Sequence, residues 1–507
     1  MAMMAPQLAA SEVSLSALLR EWAQIRPAEE RFISGISLDS RQAQPGDLFL
    51  AYAGTRTSGA RYIDEALRRG AVAVAVDAIA AEARTQAGAP IIPIPGLAMR
   101  AGVIAGRFFG EPTSRLTVIG VTGTNGKSSV SHYIATALHQ LHPGSAGLIG
   151  SLGYGPVGRL EPAELTTPDP IMLQRQFARM LALGIRAVAM EVSSHALQQG
   201  RVAGVNFQTA IFTNLSRDHL DFHGDMATYG EAKRRLFRQP GLRHAVINLD
   251  DAFGRELHAQ VAGSLKVIGF KVLTNGPLAA DDKNSVMARI EESGIDSLLL
   301  HVRSPWGEGR LQCTLTGRFN ASNIVAALAA LCLHGIPFDA AVTALRQAAP
   351  VPGRMECFSA PGRPTVVVDY AHTPDALAQA LSALRPHCAG RLVCVFGCGG
   401  DRDRGKRPEM GAVAETLADQ VVVTSDNPRS EPPMQIIDEI TAGMRRRIPV
   451  RVESDRRAAI RSAVCGAKPG DVVLVAGKGH ETFQEIHGRR FPFSDRQVVQ
   501  DLLREGA

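Results

Sequence analysis

The chain has 507 residues, of which 45% are hydrophobic and 21% charged, and its formal net charge is +6. This length exceeds what one hydrophobic core usually holds, so we expect several domains of an ordinary globular protein. The positive charge is small and no basic run is interleaved with aromatic residues. The positive sign of the charge favours anionic small-molecule substrates. Because the charge is small and dispersed, we expect no nucleic-acid partner.

The cysteines and the apolar runs indicate the cellular compartment in which the protein acts. Seven cysteines are scattered along the chain, and only Cys394 and Cys398 are close together. An odd count without paired spacing argues against a disulfide framework and against a structural zinc site. No apolar stretch reaches the roughly 20 residues of a membrane span, and residues 1–10 lack the pattern of a signal peptide. We expect a cytoplasmic protein with no membrane partner.

Short apolar strands alternate with helical runs in the first hundred residues. Residues 47–52 and 72–76 are predicted strands, and residues 63–69 between them are a predicted helix. The alternation stops near Gly-Glu-Pro-Thr at residues 110–113, and a second interruption, Pro-Val-Pro-Gly, falls at residues 350–353. These two boundaries divide the chain into three predicted domains.

A glycine-rich segment, Thr-Gly-Thr-Asn-Gly-Lys-Ser-Ser, occupies residues 122–129. It follows a predicted strand at residues 116–121 and precedes a helical pattern at residues 130–141. Glycines let backbone N–H groups approach phosphate oxygens, the lysine counters their charge, a hydroxyl can reach Mg²⁺, and the helix contributes its positive end. Val121 stands where the Walker pattern has its first glycine. The segment predicts a phosphate loop, and therefore a protein that uses ATP or GTP.

Further strands are predicted in the middle and last thirds of the chain. Two of them, at residues 187–190 and 210–212, lie in the middle third. Near-continuous apolar strands that alternate with helices indicate a parallel sheet covered on both faces. In the last third the strands are predicted at residues 365–368, 392–396, 421–424 and 472–475. The helices there are predicted at residues 376–384, 410–417, 436–447 and 458–464.

Polar clusters directly follow the four strands of the last third. Ligands of parallel sheets gather at the carboxyl ends of the strands. We therefore expect these clusters to share one edge of a sheet and to form a binding face. They occupy residues 369–372, 397–403, 425–429 and 477–481.

Two side chains of the middle third are candidate metal ligands. Glu191 follows a strand, and carboxylates are natural ligands of Mg²⁺. His219, between Asp218 and Asp221, is a candidate ligand for a second ion. Lys233, by contrast, has the pattern of one charge on a solvated basic helix. At this point a hydrolase, a kinase, a nucleotide switch and a ligase all remain compatible with the phosphate loop.

Several motifs together resemble the Mur ligases of bacterial cell-wall synthesis, and the resemblance covers nearly the whole chain. In order, the motifs lie at residues 38–41, 45–49, 122–129, 191–195, 214–221, 317–320, 369–375, 426–429 and 477–481. Among the Mur ligases, Asp-Asn-Pro-Arg at residues 426–429 resembles the members that add diaminopimelate, whereas lysine-adding members differ there.

The resemblance implies an α/β fold of three domains. It implies a smaller N-terminal α/β domain at residues 1–112 that binds the UDP substrate. A central P-loop-type domain with a parallel sheet, at residues 113–350, would bind ATP. A C-terminal Rossmann-like domain at residues 351–507 would bind the amino acid.

The resemblance also implies which residues bind each substrate. ATP would be bound by Gly123, Thr124, Asn125, Gly126, Lys127, Ser128, Ser129, Asn320, Asn323, Arg354 and Asp369. The UDP-muramoyl dipeptide would be bound by Leu38, Ser40, Thr55, Arg56, Thr57, Thr166, Thr167, Ser193, Gln199 and Arg201. Diaminopimelate would be bound by Arg402, Asp426, Asn427, Pro428, Arg429, Gly477 and Glu481.

The implied reaction is ATP-dependent addition of meso-diaminopimelate to UDP-N-acetylmuramoyl-L-alanyl-D-glutamate through an acyl phosphate. The family's counterpart of Lys233 is carboxylated by CO₂, which turns an ammonium into a carbamate that bridges metal ions. The implied catalytic residues are Lys127, His219 and Lys233, and two Mg²⁺ ions would be held by Ser128, Glu191, His219 and carboxylated Lys233. We expect a monomer.

Two positions depart from the family pattern. Leu165 stands where many relatives have asparagine before Thr-Thr, so it is left out of the binding set, and Ser58 stands where aspartate is common. The alternatives are a lysine-adding relative, a folylpolyglutamate-type ligase and a nucleotide switch. Residues 426–429 argue against the first, the uridine-type N-terminal domain against the second, and the amino-acid pocket against the third.

Overall fold

The computed structural model describes residues 12–54, 57–77, 84–86, 88–278, 283–445 and 447–505. The chain forms two compact units. The first is drawn from Met1–Thr122, Leu138–Ala210 and Ala232–His244, and the second from Gly123–Ala137, Ile211–Glu231 and Ala245–Ala507. The domain bounds given above, 1–112, 113–350 and 351–507, stay predictions.

The helices and strands follow one another in mixed α/β order. Up to the phosphate loop they are β1 (Val13–Ser14), α1 (Leu15–Leu19), β2 (Phe32–Ile33), β3 (Gly35–Ser37), β4 (Asp47–Ala51), α2 (Ile63–Arg68), β5 (Ala73–Asp77), β6 (Arg84–Gln86), β7 (Ala89–Ile94), α3 (Ala101–Phe108) and β8 (Thr117–Thr122). From there to residue 313 they are α4 (Lys127–Leu141), β9 (Ala146–Gly150), β10 (Gly153–Pro156), α5 (Pro170–Ala182), β11 (Ala187–Glu191), α6 (Ser194–Gln198), β12 (Phe207–Phe212), α7 (Leu220–His223), α8 (Met226–Arg234), β13 (His244–Asn248), α9 (Ala252–Val261), β14 (Lys266–Leu273), β15 (Ser285–Ser293), β16 (Leu298–Ser304) and β17 (Gly307–Cys313). The remaining elements are α10 (Arg318–Leu333), α11 (Phe338–Leu345), β18 (Glu356–Phe358), β19 (Thr365–Asp369), α12 (Pro374–Leu384), β20 (Leu392–Phe396), α13 (Lys406–Leu417), β21 (Gln420–Val423), α14 (Pro433–Thr441), β22 (Val450–Val452), α15 (Arg456–Gly466), β23 (Val472–Ala476), β24 (Phe483–Ile486), β25 (Arg489–Pro492) and α16 (Asp495–Arg504).

A five-stranded sheet of the first unit has the order β3-β4-β5-β7-β6, with β6 antiparallel to its neighbour and the other pairs parallel. Successive side chains of a strand point to opposite faces. Leu48 and Leu50 of β4 accordingly pack in a core with α1 and α3, whereas Phe49 and Ala51 pack in a second core with α2. The strands and the helix predicted in this region are confirmed.

The first unit also contains the neighbouring strands β10-β9-β11-β8. The pairs of β11 with β8 and β9 are parallel, and β10 runs antiparallel to β9. In the second unit β14 and β15 are parallel, and β15, β16 and β17 form antiparallel pairs.

The last sheet of the second unit has the order β18-β19-β23-β20-β21-β22, and all its pairs except β18 with β19 are parallel. Helices α12, α13 and α14 cover one face, and α15 and α16 cover the other. The valines of its strands alternate between these two cores, which explains their near-continuous apolar sequence. The predicted α/β class with parallel sheets covered on both faces is confirmed.

One predicted helix is shorter than expected. The helix predicted at residues 436–447 begins at Pro433 and ends at Thr441. Gly443 follows this end, and a Cβ added there would lie 1.9 Å from the backbone oxygen of Pro408. Only glycine permits so close an approach to α13 at this position.

In the part of the chain that the structure describes, every helix is too short or too polar to cross a bilayer.

Replacing Asp495 with asparagine should destabilise the last sheet, because Arg456 would lose its counter-charge while remaining buried. Both side chains are 0% exposed, and they join the first turns of α15 and α16 at 2.7 Å. Removing one partner of such a pair costs about 3–5 kcal/mol. The shift of the urea midpoint, followed by circular dichroism, measures this cost.

The matched control is Glu505→Gln, because Glu505, directly after α16, pairs with Arg461 of α15 and both side chains are exposed. An exposed pair contributes at most about 1 kcal/mol. Equal midpoints for the two variants would contradict the prediction.

Candidate active site

The phosphate loop occupies residues 123–126, immediately before α4. Gly123 and Gly126 have φ values of 154° and 85°. A Cβ added to Gly123 would lie 1.9 Å from Thr213 Oγ1, and one added to Gly126 would lie 2.4 Å from Asn323 Oδ1. Both glycines are therefore required by backbone conformation and by space.

Asn214, the second residue after β12, holds the backbone of this loop. Its Oδ1 accepts from Asn125 N at 2.9 Å, its Nδ2 donates to Asn125 O at 3.1 Å, and its own carbonyl accepts from Thr124 N at 2.9 Å. Thr213 Oγ1 donates to the same Asn125 carbonyl at 2.6 Å. Asn214 was not selected as a binding residue from the sequence, although its position after a strand was a usable signal.

Two cationic side chains lie at the loop. Lys127 Nζ donates to the carbonyls of Gly123 at 3.0 Å and Thr124 at 2.7 Å. Arg354 donates to Ser128 Oγ at 3.0 Å, and its guanidinium carbon lies 4.2 Å from the centre of the Tyr370 ring. Positive charge thus gathers beside the helix N-terminus, where an anion is favoured.

A cavity of about 760 Å³ opens beside the loop. This volume is within the range of small-molecule and cofactor sites. The residues predicted for ATP that line it are Asn125, Gly126, Ser129, Asn323, Arg354 and Asp369. Lining residues that were not predicted include Asp250, Phe319, Ser322, Tyr370, Asp375 and Gln379.

Asn320 supports this cavity from behind. It is buried, its Nδ2 donates to Thr316 O at 2.9 Å, and its Oδ1 accepts from Asn323 at 3.3 Å. The two asparagines lie one turn apart on α10. Asn323 reaches the cavity wall, and Asn320 orients it.

Asp369 ends β19 and is buried at the cavity wall. Its two carboxylate oxygens accept from the backbone nitrogens of Met355 and Ala371, each at 2.7 Å. Burial raises the pKa of Asp369 above its ordinary value, against the opposing charge of Arg354.

Asp218 is the centre of a buried charged cluster in the second unit. Its carboxylate lies 3.2 Å from His219 Nε2 and 3.5 Å from both Lys406 Nζ and His372 Nε2. Burial opposes ionisation of Asp218, but Lys406 and the two histidines outweigh it and hold the pKa of this carboxyl well below its ordinary value. His219 has a φ of 56°, a left-handed conformation that is uncommon for residues other than glycine.

The four polar clusters of the last third meet at one edge of the sheet, as predicted. The strands β19, β23, β20 and β21, which precede them, are parallel, so their carboxyl ends coincide. Gly477 N donates to Asp369 O at 3.1 Å, and Thr424 N donates to Phe396 O at 2.9 Å.

Within this edge a buried lysine joins two of the residues predicted for diaminopimelate. Lys478, which is 0% exposed, donates to Asn427 Oδ1 at 3.0 Å and Glu481 Oε2 at 2.7 Å. Burial opposes the ionisation of Asp426, but Lys478 and Arg456 lower its pKa. Lys478 was not selected from the sequence, although it lies inside the motif at residues 477–481.

Glu191 ends β11 in the first unit and is buried. Its Oε1 accepts from Ser151 N at 2.7 Å and from Ser151 Oγ at 2.9 Å. Thr167 Oγ1 donates to the backbone carbonyl of Glu191 at 2.9 Å and accepts from Ser193 N at 3.1 Å. Arg201 donates to Thr167 O at 3.0 Å. The structure therefore brings these predicted residues of the muramoyl-dipeptide set next to Glu191.

The remaining residues of that set have different surroundings. Arg201 also donates to Gln199 Oε1 at 2.6 and 2.8 Å. Ser40 Oγ donates to Glu65 at 2.7 Å, a partner not anticipated from the sequence. Leu38 and Thr166 are half-buried and Thr57 is exposed. Thr55 and Arg56 lie outside the described residues.

Lys233 is buried, so the expectation of a solvated helix was wrong. Its side chain is 1% exposed, because this face of α8 turns inward with Tyr229 and Ala232. Of the predicted metal ligands, Ser128 and His219 belong to the second unit, and Glu191 and Lys233 to the first. Among the described residues, no group of three or more His, Cys, Asp or Glu side chains is arranged so that it could hold a metal ion.

The fold and the phosphate loop are those of a P-loop-type α/β protein. Three family models match successive parts of the chain: "Mur ligase family, catalytic domain" at residues 32–109, "Mur ligase middle domain" at residues 121–331, and "Mur ligase, glutamate ligase domain" at residues 353–479. The chain belongs to the Mur ligase family, as the motifs predicted.

Its relatives include proteins named UDP-N-acetylmuramoyl-L-alanyl-D-glutamate–2,6-diaminopimelate ligase. The protein from Coxiella burnetii is 51% identical over 472 residues, which are 93% of this chain and 96% of that protein. The protein from Alkalilimnicola ehrlichii is 49% identical over 503 residues, 97% of this chain and 99% of that one.

Solved structures agree with this assignment. One of a protein with the same name is 34% identical, has a TM-score of 0.68, and covers 98% of this chain and 99% of its own. Folylpolyglutamate synthase of Mycobacterium tuberculosis is 22% identical, with a TM-score of 0.59 over 75% of this chain and 92% of its own, and shows the fold alone. The predicted three-domain Mur ligase fold is confirmed.

Replacing Gly123 with alanine should lower the affinity for ATP by more than about tenfold, because the added Cβ would collide with Thr213 and displace the loop backbone. Isothermal titration with a non-hydrolysable ATP analogue measures the affinity.

Gly144→Ala is the control, because Gly144 follows the other end of α4. Its φ is 78° and no heavy atom lies within 4 Å of the added Cβ. Equal loss of ATP affinity in both variants would contradict the collision with Thr213 as the cause.

Proposed function

We propose that this chain is the ATP-dependent ligase that adds meso-diaminopimelate to UDP-N-acetylmuramoyl-L-alanyl-D-glutamate in peptidoglycan synthesis. The proposal rests chiefly on relatives named for this reaction, which are 46–51% identical over nearly their whole length. We also propose that it acts in the cytoplasm as a monomer.

The chemistry requires ATP because a carboxylate and an amine do not condense unaided. A side-chain carboxylate oxygen of D-glutamate would attack the γ-phosphorus of ATP, giving an acyl phosphate and ADP. The amine of diaminopimelate would then attack the acyl carbon, lose a proton, and displace phosphate as the carbon–oxygen bond breaks. The products are the amide, ADP and phosphate.

Phosphoryl transfer calls for fixed positive groups around the phosphate oxygens. The phosphate loop supplies backbone N–H groups, and Lys127 and Arg354 supply charge beside it. The cavity bounded by Asn323 and Asp369 has the size for the nucleoside part of ATP. Support for ATP therefore comes from one continuous set of residues in the second unit.

Of the proposed donor set, the Ser128 hydroxyl and the Glu191 carboxylate are oxygen donors of the kind that Mg²⁺ prefers. Ser128, Glu191, His219 and Lys233 would hold two ions, whose chemistry is the neutralisation of phosphate and carboxylate charge. The carbamate at Lys233, which is buried, is proposed from the family resemblance. A carbamate reverses the sign of the charge.

The polar edge of the last sheet suits a diamino acid with two carboxylates. Arg429 and Arg402 would bind a carboxylate, because a planar guanidinium pairs with it bidentately. Asp426 and Glu481 offer negative charge for an ammonium, and Asn427 bridges the two sides. L-Lysine lacks the second carboxylate and would leave one guanidinium unpaired.

The first unit would hold the rest of the nucleotide-sugar substrate. Thr166, Thr167, Ser193, Gln199 and Arg201 would contact the muramoyl dipeptide, and the contacts of Thr167 with Glu191 support this. Leu38, Ser40, Thr55, Arg56 and Thr57 would contact the uridine nucleotide.

In a coupled assay, release of ADP and phosphate should require both the muramoyl dipeptide and meso-diaminopimelate. L-Lysine and L-glutamate, tested at the same concentrations, should give far lower rates. Equal turnover with lysine would favour the lysine-adding relative, and turnover with folate and glutamate would favour the folylpolyglutamate-type ligase.

A Lys233→Ala variant should be inactive and should regain part of its activity with added short carboxylates, because they can replace the oxygen ligands of a carbamate. Lys233→Arg is the control, since it keeps a positive charge and cannot form a carbamate. Rescue by short amines instead of carboxylates would contradict a carbamate at this position.

A further inference from the structure

Two loops of the second unit carry most of the residues proposed for diaminopimelate, and their backbones touch. The first comprises residues 397–405 and the second residues 424–431. A Cβ added to Gly397 would lie 2.1 Å from Thr424 O, and one added to Gly400 would lie 2.0 Å from Pro428 O. Gly400 N also donates to Asn427 O at 2.9 Å. The position of either loop therefore depends on the other.

Arg407, in the first turn of α13, contacts both loops. Its side chain is 0% exposed. It donates to both carboxylate oxygens of Glu431 at 2.8 Å, to Glu439 Oε2 at 2.7 Å and to Gly399 O at 3.2 Å. A single guanidinium thus contacts the first loop, the second loop and α14.

Glu431 and Ser430, both in the second loop, make further hydrogen bonds to Asp401 in the first loop. The Oε1 atom of Glu431 accepts from Asp401 N at 2.6 Å. The carboxylate of Asp401 in turn accepts from Ser430 Oγ at 2.5 Å and from Ser430 N at 3.2 Å. Hydrogen bonds from Arg407 lower the pKa of Glu431 to about 2, so its carboxylate is charged at neutral pH.

Arg429 lies between these contacts in an unfavourable conformation. Its φ is 51°, in the left-handed region, which is sterically unfavourable for an arginine. Its guanidinium donates to Gly400 O at 2.7 Å and lies 3.4 Å from Glu485. A residue stays in such a conformation only when its surroundings hold it there.

We propose that Arg407 and Glu431 are positioning residues that hold Arg429 in the geometry needed to select diaminopimelate. They act through the two loops, and the proposal rests on the function proposed above. Loss of the Arg407–Glu431 contact lets the second loop relax from its left-handed turn. The Arg429 guanidinium then moves away from the first loop, and the amino-acid pocket loses its shape while the ATP cavity keeps its own.

The principal variant is Arg407→Lys, because lysine keeps the charge but cannot bind both oxygens of Glu431 and Gly399 O together. We expect the KM for meso-diaminopimelate to rise by about tenfold or more, as for the loss of one or two charged hydrogen bonds. The KM values for ATP and the muramoyl dipeptide, and kcat at saturating diaminopimelate, should change by less than about twofold. The preference for diaminopimelate over lysine should fall.

Glu431→Gln and Ser430→Ala are the second and third variants, and they remain informative if Arg407→Lys does not fold. Each alters the hydrogen bonds between the two loops at a position less buried than Arg407. Both should raise the KM for meso-diaminopimelate, Ser430→Ala by less than Glu431→Gln. Arg461→Gln is the control outside the two loops: Arg461 is 60% exposed and its guanidinium pairs with Glu505. It should leave all three KM values unchanged.

The outcomes separate this inference from the function on which it rests. Wild-type protein that releases no ADP with diaminopimelate refutes the proposed function, and the same variants are then compared with the amino acid that the panel identifies. If wild type is active and Glu431→Gln and Ser430→Ala leave the KM for the amino acid unchanged, the positioning role is refuted. A parallel loss of affinity for all three substrates, with a lowered melting temperature, refutes it as well and assigns Arg407 to stability alone.

Discussion

Parallel pairing of the strands is the constraint on which the candidate site depends. Because β19, β23, β20 and β21 run in one direction, every chain segment that follows them emerges at the same edge. Polar residues that are far apart in the sequence, such as Asp369 and Glu481, are therefore brought to one surface by the topology of the sheet. In the first unit the same principle brings Glu191 to the end of β11, in register with Val121 at the end of β8.

This concentration of polar groups would be costly without matched charges. A buried charge is tolerated only when a partner and hydrogen bonds replace its water. Lys406 and the two histidines around Asp218, Lys478 beside Glu481, and Arg456 with Asp495 are three instances. Arg407 is a fourth, and its partners lie on both loops and on α14. In our proposal, the charge pairs of Arg407 also hold the loop geometry, which would connect the packing of the last sheet to the choice of amino acid.

Much of the fold was predictable, because strand and helix patterns are local. The apolar runs at residues 392–396 and 472–475 are strands, and the phosphate loop precedes a helix, as predicted. The errors and omissions have a common cause. The helix predicted to reach residue 447 ends at Thr441, and Lys233 is buried although its sequence has the pattern of a solvated helix. Neither the helix end nor the burial is written in the local sequence pattern.

The sequence by itself determined the family, the phosphate loop and the candidate residues, since motifs and periodicity are properties of neighbouring residues. Only the tertiary structure decided which of those residues meet. Asn214 supports Asn125 from 89 positions away, and Arg354 donates to Ser128 across 226 positions. The same holds for Arg407, whose role depends on three backbone segments that converge through sheet and loop packing. Contacts between distant segments depend on the whole fold, and a local pattern cannot encode them.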